Sequence, residues 1–134
     1  MTYCVAISVD AGVVFCSDSL TNAGIDQVST YSKMFHFGVD GERQIVILCA
    51  GNLATSQATI ATIKSDIKKD ADVKLLNIET LEEAADYIRD ISREQQEKRT
   101  IEGKKFEVGF ILGGQIDSAK HRTILINPEG NHIT

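Results

Sequence analysis

Three residues far apart in this chain, Thr2, Asp18 and Lys33, carry the groups needed for a nucleophilic attack launched from a chain terminus. If Met1 is removed, Thr2 offers a hydroxyl as nucleophile and, on the same residue, a free α-amine as its base. An unperturbed α-amine has a pKa of about 7.7–8.0, so only roughly a tenth of it is free base at neutral pH. A lysine cation nearby disfavours a second positive charge, and lowering the amine by about one unit costs its charged form about 1.4 kcal/mol. Two unit charges about 4 Å apart in a partly solvated site interact by about 4 kcal/mol, so one lysine is sufficient. A carboxylate must then hold that lysine in place. Lys33 and Asp18 are the candidates, and a retained Met1 would leave Thr2 without its base.

The flanking sequence supplies elements that could bring these groups together. Tyr3, Val5, Ile7 and Val9 alternate, which predicts a strand over 2–9 that ties the terminus into a sheet. Asp10-Ala11-Gly12 is a hairpin turn signal. Val13-Val14-Phe15-Cys16 is continuously apolar, as in a strand covered on both faces, and it stops at Ser17-Asp18-Ser19. An Asp in that position is also an ordinary turn former. Residues 20–32 read as a polar loop of a length that often carries function.

Lys33 opens the next strand, Lys33–Phe37, where a lysine also serves as an edge gatekeeper. Gln44–Ala50 predicts a fully buried strand. Beyond it, Leu53, Ile60, Ile63 and Ile67 recur at helical spacing behind Asn52, an N-cap type. Gly51 sits at that strand-to-helix corner, where a glycine admits another backbone and the helix start exposes N–H groups. Those are ingredients of an oxyanion hole, and equally of any tight turn or weak anion site.

A second helix opens with the capping box Thr80-Leu81-Glu82-Glu83, and Leu81, Ala84, Ala85, Ile88 and Ile91 form its apolar face. Strands follow at 106–114 and 123–126, with a last one beginning at His132. Six or seven strands require two stacked sheets or a barrel, whereas two consecutive helices cover only one outer face. A sheet face is therefore left bare, needing more chain or a neighbouring subunit.

Composition narrows the class. The 134 residues predict one domain, spanning 1–134, with a real core, and 43% hydrophobic with 25% charged residues describes an ordinary globular protein. A net charge of −5 argues against a nucleic-acid or anionic-membrane partner. No apolar run is long enough to span a bilayer and no signal peptide opens the chain, so the expected location is cytoplasmic. Cys4, Cys16 and Cys49 are dispersed within apolar runs, suiting buried thiols in a reducing compartment, although Cys4 or Cys16 could also serve as a catalytic cysteine. His36, His121 and His132 lack partners at ligand spacing, so no metal is expected.

Taken together, Thr2-Tyr3-Cys4-Val5-Ala6, Val14-Phe15-Cys16-Ser17-Asp18-Ser19, Lys33 and Ala50-Gly51-Asn52-Leu53-Ala54 resemble the proteasome β-type peptidases. Thr21-Asn22-Ala23-Gly24 is similar to a loop of a bacterial branch of that family, and the likeness covers essentially the whole chain. The resemblance implies an α+β fold, the four-layer αββα sandwich of N-terminal-nucleophile hydrolases, with the last helical layer missing and the domain truncated at its C-terminus. It implies Thr2 as nucleophile and base, Lys33 as the group that tunes it, Asp18 as the orienter of Lys33, and the Gly51 N–H as oxyanion donor. Cys49 would lie near the pocket for the substrate side chain. Partners would be a peptide or unfolded protein substrate and further copies in a homo-oligomer, with no cofactor.

The family's Asp-Ser-Arg-Thr is here Asp18-Ser19-Leu20-Thr21, so the arginine beside the acid is absent. The chain also ends before the family's later Asp and Ser and its last two helices. Two functions follow: a threonine endopeptidase, or a non-catalytic truncated scaffold or assembly subunit. A small-ligand module built on the Gly51 corner is a third.

Overall fold

The computed structural model describes residues 3–22, 28–30, 32–100, 107–129 and 132–133. Strands β1 (Cys4–Val9) and β2 (Gly12–Ser17) form an antiparallel hairpin about the predicted turn. Strands β3 (Leu20–Asn22) and β4 (Val28–Thr30) pair with each other, in the segment whose weak periodicity predicted only loop. Three-residue strands are too short for alternation to show in a sequence. Then come β5 (Met34–Val39), β6 (Arg43–Gly51), the helices α1 (Leu53–Lys68) and α2 (Leu81–Arg99), and β7 (Val108–Ile116), β8 (Arg122–Ile126) and β9 (His132–Ile133). The last five strands form one sheet in the order β5-β6-β7-β8-β9, antiparallel throughout. None of the described helices is long and apolar enough to cross a membrane.

Both helices start where capping chemistry dictates. The Asn52 side chain accepts from the Thr55 N–H at 3.0 Å, and Thr80 Oγ1 accepts from the Glu83 N–H at 3.2 Å. On α2 the buried positions Leu81, Ala84, Ala85, Ile88 and Ile91 are the apolar stripe read from the sequence. They meet Ile60 and Ile63 of α1 and one face of the sheet, carried by Ile45, Ile47, Cys49, Phe110, Leu112, Ile124 and Ile126. Each fully buried Ile or Leu in this layer contributes about 1.5–3 kcal/mol. Arg43 is buried beneath the connection between the helices, and its Nη1 donates to the carbonyls of Leu75 (3.1 Å) and Ile78 (2.6 Å).

The β1–β2 hairpin packs on the opposite face of the sheet, with β1 over β6, β7 and β8. Gly113 makes the seat: a Cβ there would lie 2.5 Å from Phe15 Cζ, so only a glycine lets that ring settle onto the sheet. His121 Nε2 lies 2.6 Å from the Val9 carbonyl and ties the tip of the hairpin to the β7–β8 turn. The stack among the described residues is thus helices, five-stranded sheet, hairpin.

One expectation is corrected here. Val14 is 59% exposed and the Cys16 thiol is also exposed, so β2 is covered on one face only. Period-2 geometry turns Val14 and Cys16 away from the side that carries Phe15, and nothing among the described residues lies above them.

Candidate active site

The site forms where the open end of the hairpin meets the start of β5 and the end of β6. The Asp18 N–H donates to the Tyr3 carbonyl at 3.0 Å, extending the β1–β2 ladder by one pair beyond Cys4–Ser17. The Asp18 side chain then does two things. Its Oδ1 accepts from Lys33 Nζ at 2.6 Å, and its Oδ2 accepts from the Tyr3 N–H at 3.1 Å. Lys33 is held from the other side by its own backbone, since its carbonyl accepts from the Cys49 N–H at 2.9 Å.

Burial is unequal across the ion pair. The Lys33 side chain is 8% exposed and that of Asp18 35%. A buried lysine needs a partner, whereas a partly solvated carboxylate can also serve a second one. The Lys33 hydrogen bond holds the Asp18 carboxyl below its ordinary value of 3.8, and the Tyr3 N–H adds to that effect against some desolvation.

Gly51 closes the far end of β6 in a conformation suited to glycine, with φ +125°. A Cβ at that position would sit 2.6 Å from the Glu107 carbonyl oxygen and 2.9 Å from Val108 Cα. The Asn52 N–H donates to Glu107 on the β7 side and the Cys49 N–H to Lys33 on the β5 side. Alternation of N–H directions along a strand puts the Gly51 N–H on the same edge as that of Cys49, the edge occupied by Lys33. Backbone crowding therefore accounts for the glycine.

Two of the four predicted site residues, Asp18 and Lys33, are in direct contact, and Gly51 lies two residues from the strand position bonded to Lys33. Thr2 falls outside the described residues. Sequence reasoning overlooked the Tyr3 amide, because every residue but proline has one and only the register shows which is used.

Cys4 and Cys49 are not prepared for nucleophilic work. Cys4 Sγ donates to the Cys49 carbonyl at 3.4 Å, and burial first, then the Asp18 charge, pushes its pKa up. Burial, with a smaller effect of Cys4, pushes the Cys49 thiol up to about 12. Cys16 is exposed on the outer side of the hairpin. A thiolate is the reactive form, so the environment disfavours Cys4 and Cys49 in that role.

A cavity of about 260 Å³ flanks the site, between the outer edge of β5 and α1, lined by Ser32, Phe35, Gln57, Ile60, Ala61 and Lys64.

The geometry can be set beside known proteins. No protein-family model and no curated protein matches the chain. Among solved structures, the helical assembly of the Anbu complex from Pseudomonas aeruginosa is 38% identical with a TM-score of 0.92. The alignment covers 99% of this chain and 56% of that one. Anbu (ancestral β-subunit) from Yersinia bercovieri is 35% identical with a TM-score of 0.91, covering 99% and 55%. A Gly-1 mutant of Anbu from Hyphomicrobium sp. strain MC1 is 36% identical with a TM-score of 0.90, covering 99% and 56%. The chain thus spans just over half the length of these relatives. With a likeness of that size running over nearly all of its residues, the chain is an Anbu-like relative of the proteasome β-type family.

Proposed function

We propose that this chain carries the catalytic half-site of a proteasome-type threonine peptidase that hydrolyses peptide bonds within a homo-oligomer. The observation that supports this best is the buried Lys33 paired to Asp18 at the point where the backbone of residue 3 is fixed. In this reading, removal of Met1 frees the Thr2 amine, which takes the hydroxyl proton as the oxygen attacks the scissile carbonyl. The Lys33 charge lowers the proton affinity of that amine and stabilises the developing alkoxide. The Gly51 N–H receives the oxyanion of the tetrahedral intermediate, a donor whose loss typically costs about 10²–10³ in rate. The amine then returns its proton to the leaving group, and water completes hydrolysis of the ester.

The fourth layer of the αββα sandwich falls, in this reading, in the length of the relatives that lies beyond the span of this chain. The leucine at position 20, where the family has an arginine beside the acid, favours a second reading in which the chain is a scaffold or assembly subunit without activity.

Two measurements separate the readings. Intact-mass spectrometry reports whether Met1 is lost, and a threonine-directed electrophile reports whether the terminus reacts. The peptidase reading expects loss of Met1, labelling at Thr2, and little labelling in Lys33→Ala. Retention of Met1 would leave the scaffold reading standing, and equal labelling with and without Lys33 would remove Lys33 from the mechanism.

A further inference from the structure

We propose that the outer edge of β5, with the groove beside it, is a docking site for an extended, acidic peptide segment of a partner protein. The inference stands on strand geometry and does not rest on the threonine-peptidase reading. β5 ends its sheet, with β6 on one side and no described strand on the other. The Cys49 N–H donates to the Lys33 carbonyl, so residues 33, 35, 37 and 39 turn their main-chain groups towards β6. Met34, His36 and Gly38 turn theirs outward. Ser32 serves the first of these, its Oγ donating to the Met34 carbonyl at 2.8 Å and accepting from the Met34 N–H at 3.4 Å. His36 and Gly38 are exposed, and their outward N–H and carbonyl groups meet no partner among the described residues.

An open edge of this kind is ordinarily blunted by a lysine, a proline, a bulge or brevity. At the other end of the sheet β9 is only two residues long. Met34–Val39 has six residues, with no Lys, Arg, Asp, Glu or Pro among them. The lysine that precedes it does not guard it, because Lys33 is drawn inward to Asp18 and its side chain is only 8% exposed. The edge is left able to accept a further strand, the geometry by which extended peptides add to a sheet.

The groove selects which strand. Side chains of an added strand alternate, and those on the helix side meet the cavity of about 260 Å³ between β5 and α1. Phe35, Ile60 and Ala61 give it apolar walls, and no carboxylate lines it. Lys64 Nζ stands 5.5 Å from the centre of the Phe35 ring and has no ion pair among the described residues. A carboxylate set between apolar neighbours on the incoming strand would meet that ammonium. β5 itself holds no acidic residue, so pairing with the β5 of a second copy would leave Lys64 unmatched. The occupant that fits is a different segment, apolar–acidic–apolar along one face.

Titrating the isotope-labelled protein with the blocked peptide Thr-Val-Thr-Glu-Thr-Val-Thr, followed by NMR, tests the site. Its Val and Glu side chains share one face and its Thr side chains the other. The His36 and Gly38 amide protons should move downfield to saturation and exchange more slowly, while the amides of β7 keep their positions. A peptide with Gln for Glu should bind about fivefold more weakly, the loss of one partly solvated ion pair. Lys64→Met should bind both peptides equally; if that variant fails to fold, the two peptides on the unaltered protein carry the comparison. With Val and Glu in the groove of an antiparallel pairing, the Thr nitrogens face β5. Methylating them should abolish binding. Absence of the His36 and Gly38 shifts at millimolar peptide overturns the proposal, as do binding indifferent to methylation and equal affinity of the Glu and Gln peptides. Protection of the same two amides that rises with protein concentration, without peptide, overturns it too, since the occupant is then a second copy.

Discussion

At the scale of single residues, the Asp18 carboxylate between an ammonium and an amide makes stability depend on pH with a definite sign. Its folded pKa lies below 3.8, and unfolding returns it to that ordinary value. Between the two values the unfolded chain binds the proton more readily, so the contribution is complete above about pH 4 and is lost as pH falls through the folded pKa. Asp18→Asn has no such titration. The urea midpoints of the two proteins should differ most at about pH 6 and draw together as the pH approaches about 3. A gap that stays constant with pH would mean that the carboxylate is no more stabilised in the fold than in the unfolded chain. The pairing of Asp18 with Lys33 was legible through the family resemblance, since locally an Asp after a strand reads as a turn former and a Lys opening a strand as an edge gatekeeper. The Tyr3 amide was not legible, since backbone groups carry no mark in a sequence and only the hairpin register selects among them. Gly51 was legible as a special position, but the actual reason, contact with the backbone of Glu107 and Val108, came from a strand more than fifty residues away.

At the scale of elements, the helices were predictable because their signals are local. The caps Asn52 and Thr80 each sit directly before their own helix, and the stripe Leu81-Ala84-Ala85-Ile88-Ile91 follows Thr80 within about three turns. What seats the hairpin is not local, because Gly113 and Phe15 are brought together only by stacking one sheet on another. The same is true of Arg43, whose buried guanidinium reaches the 75–78 carbonyls and whose charge gives no hint of it in sequence. Gly113→Ala would place a Cβ at 2.5 Å from the Phe15 ring and 3.2 Å from the Arg122 carbonyl, forcing the ring outward. Overpacking of this kind costs about 1–3 kcal/mol. The expected outcome is an earlier urea transition, with faster amide exchange in β1 and β2 while α2 keeps its rates. Loss concentrated in the helices instead would show that the hairpin is not held by this contact.

At the scale of the whole molecule, layering decides what the surface can do. The inner side of the hairpin rests on the sheet, but its outer side presents Tyr3, Val5, Ile7, Val9 and Val14, exposed by 42–70% and contiguous by register. Val5 pairs with Cys16 and Ile7 with Val14, so alternation gathers the apolar residues of both strands into one patch. A patch of this kind on a monomer marks an interaction face or an aggregation liability. A two-stranded hairpin with one dry face also has little independent stability. The net charge of −5 opposes association only weakly at physiological salt, where screening is effective beyond about 8 Å. The isolated chain should therefore bind an apolar dye such as ANS and show a sedimentation coefficient that rises with concentration. Replacing the facing pair by Ile7→Lys with Val14→Glu puts opposite charges across the ladder, where they support the strands rather than repel. That double variant should lose most of the dye signal and sediment more nearly as a monomer. Its unfolding midpoint should change little, because neither side chain contributes to the buried core. If dye binding and association persist undiminished in the variant, the sticky surface lies elsewhere, and the hairpin face is an ordinary exposed strand.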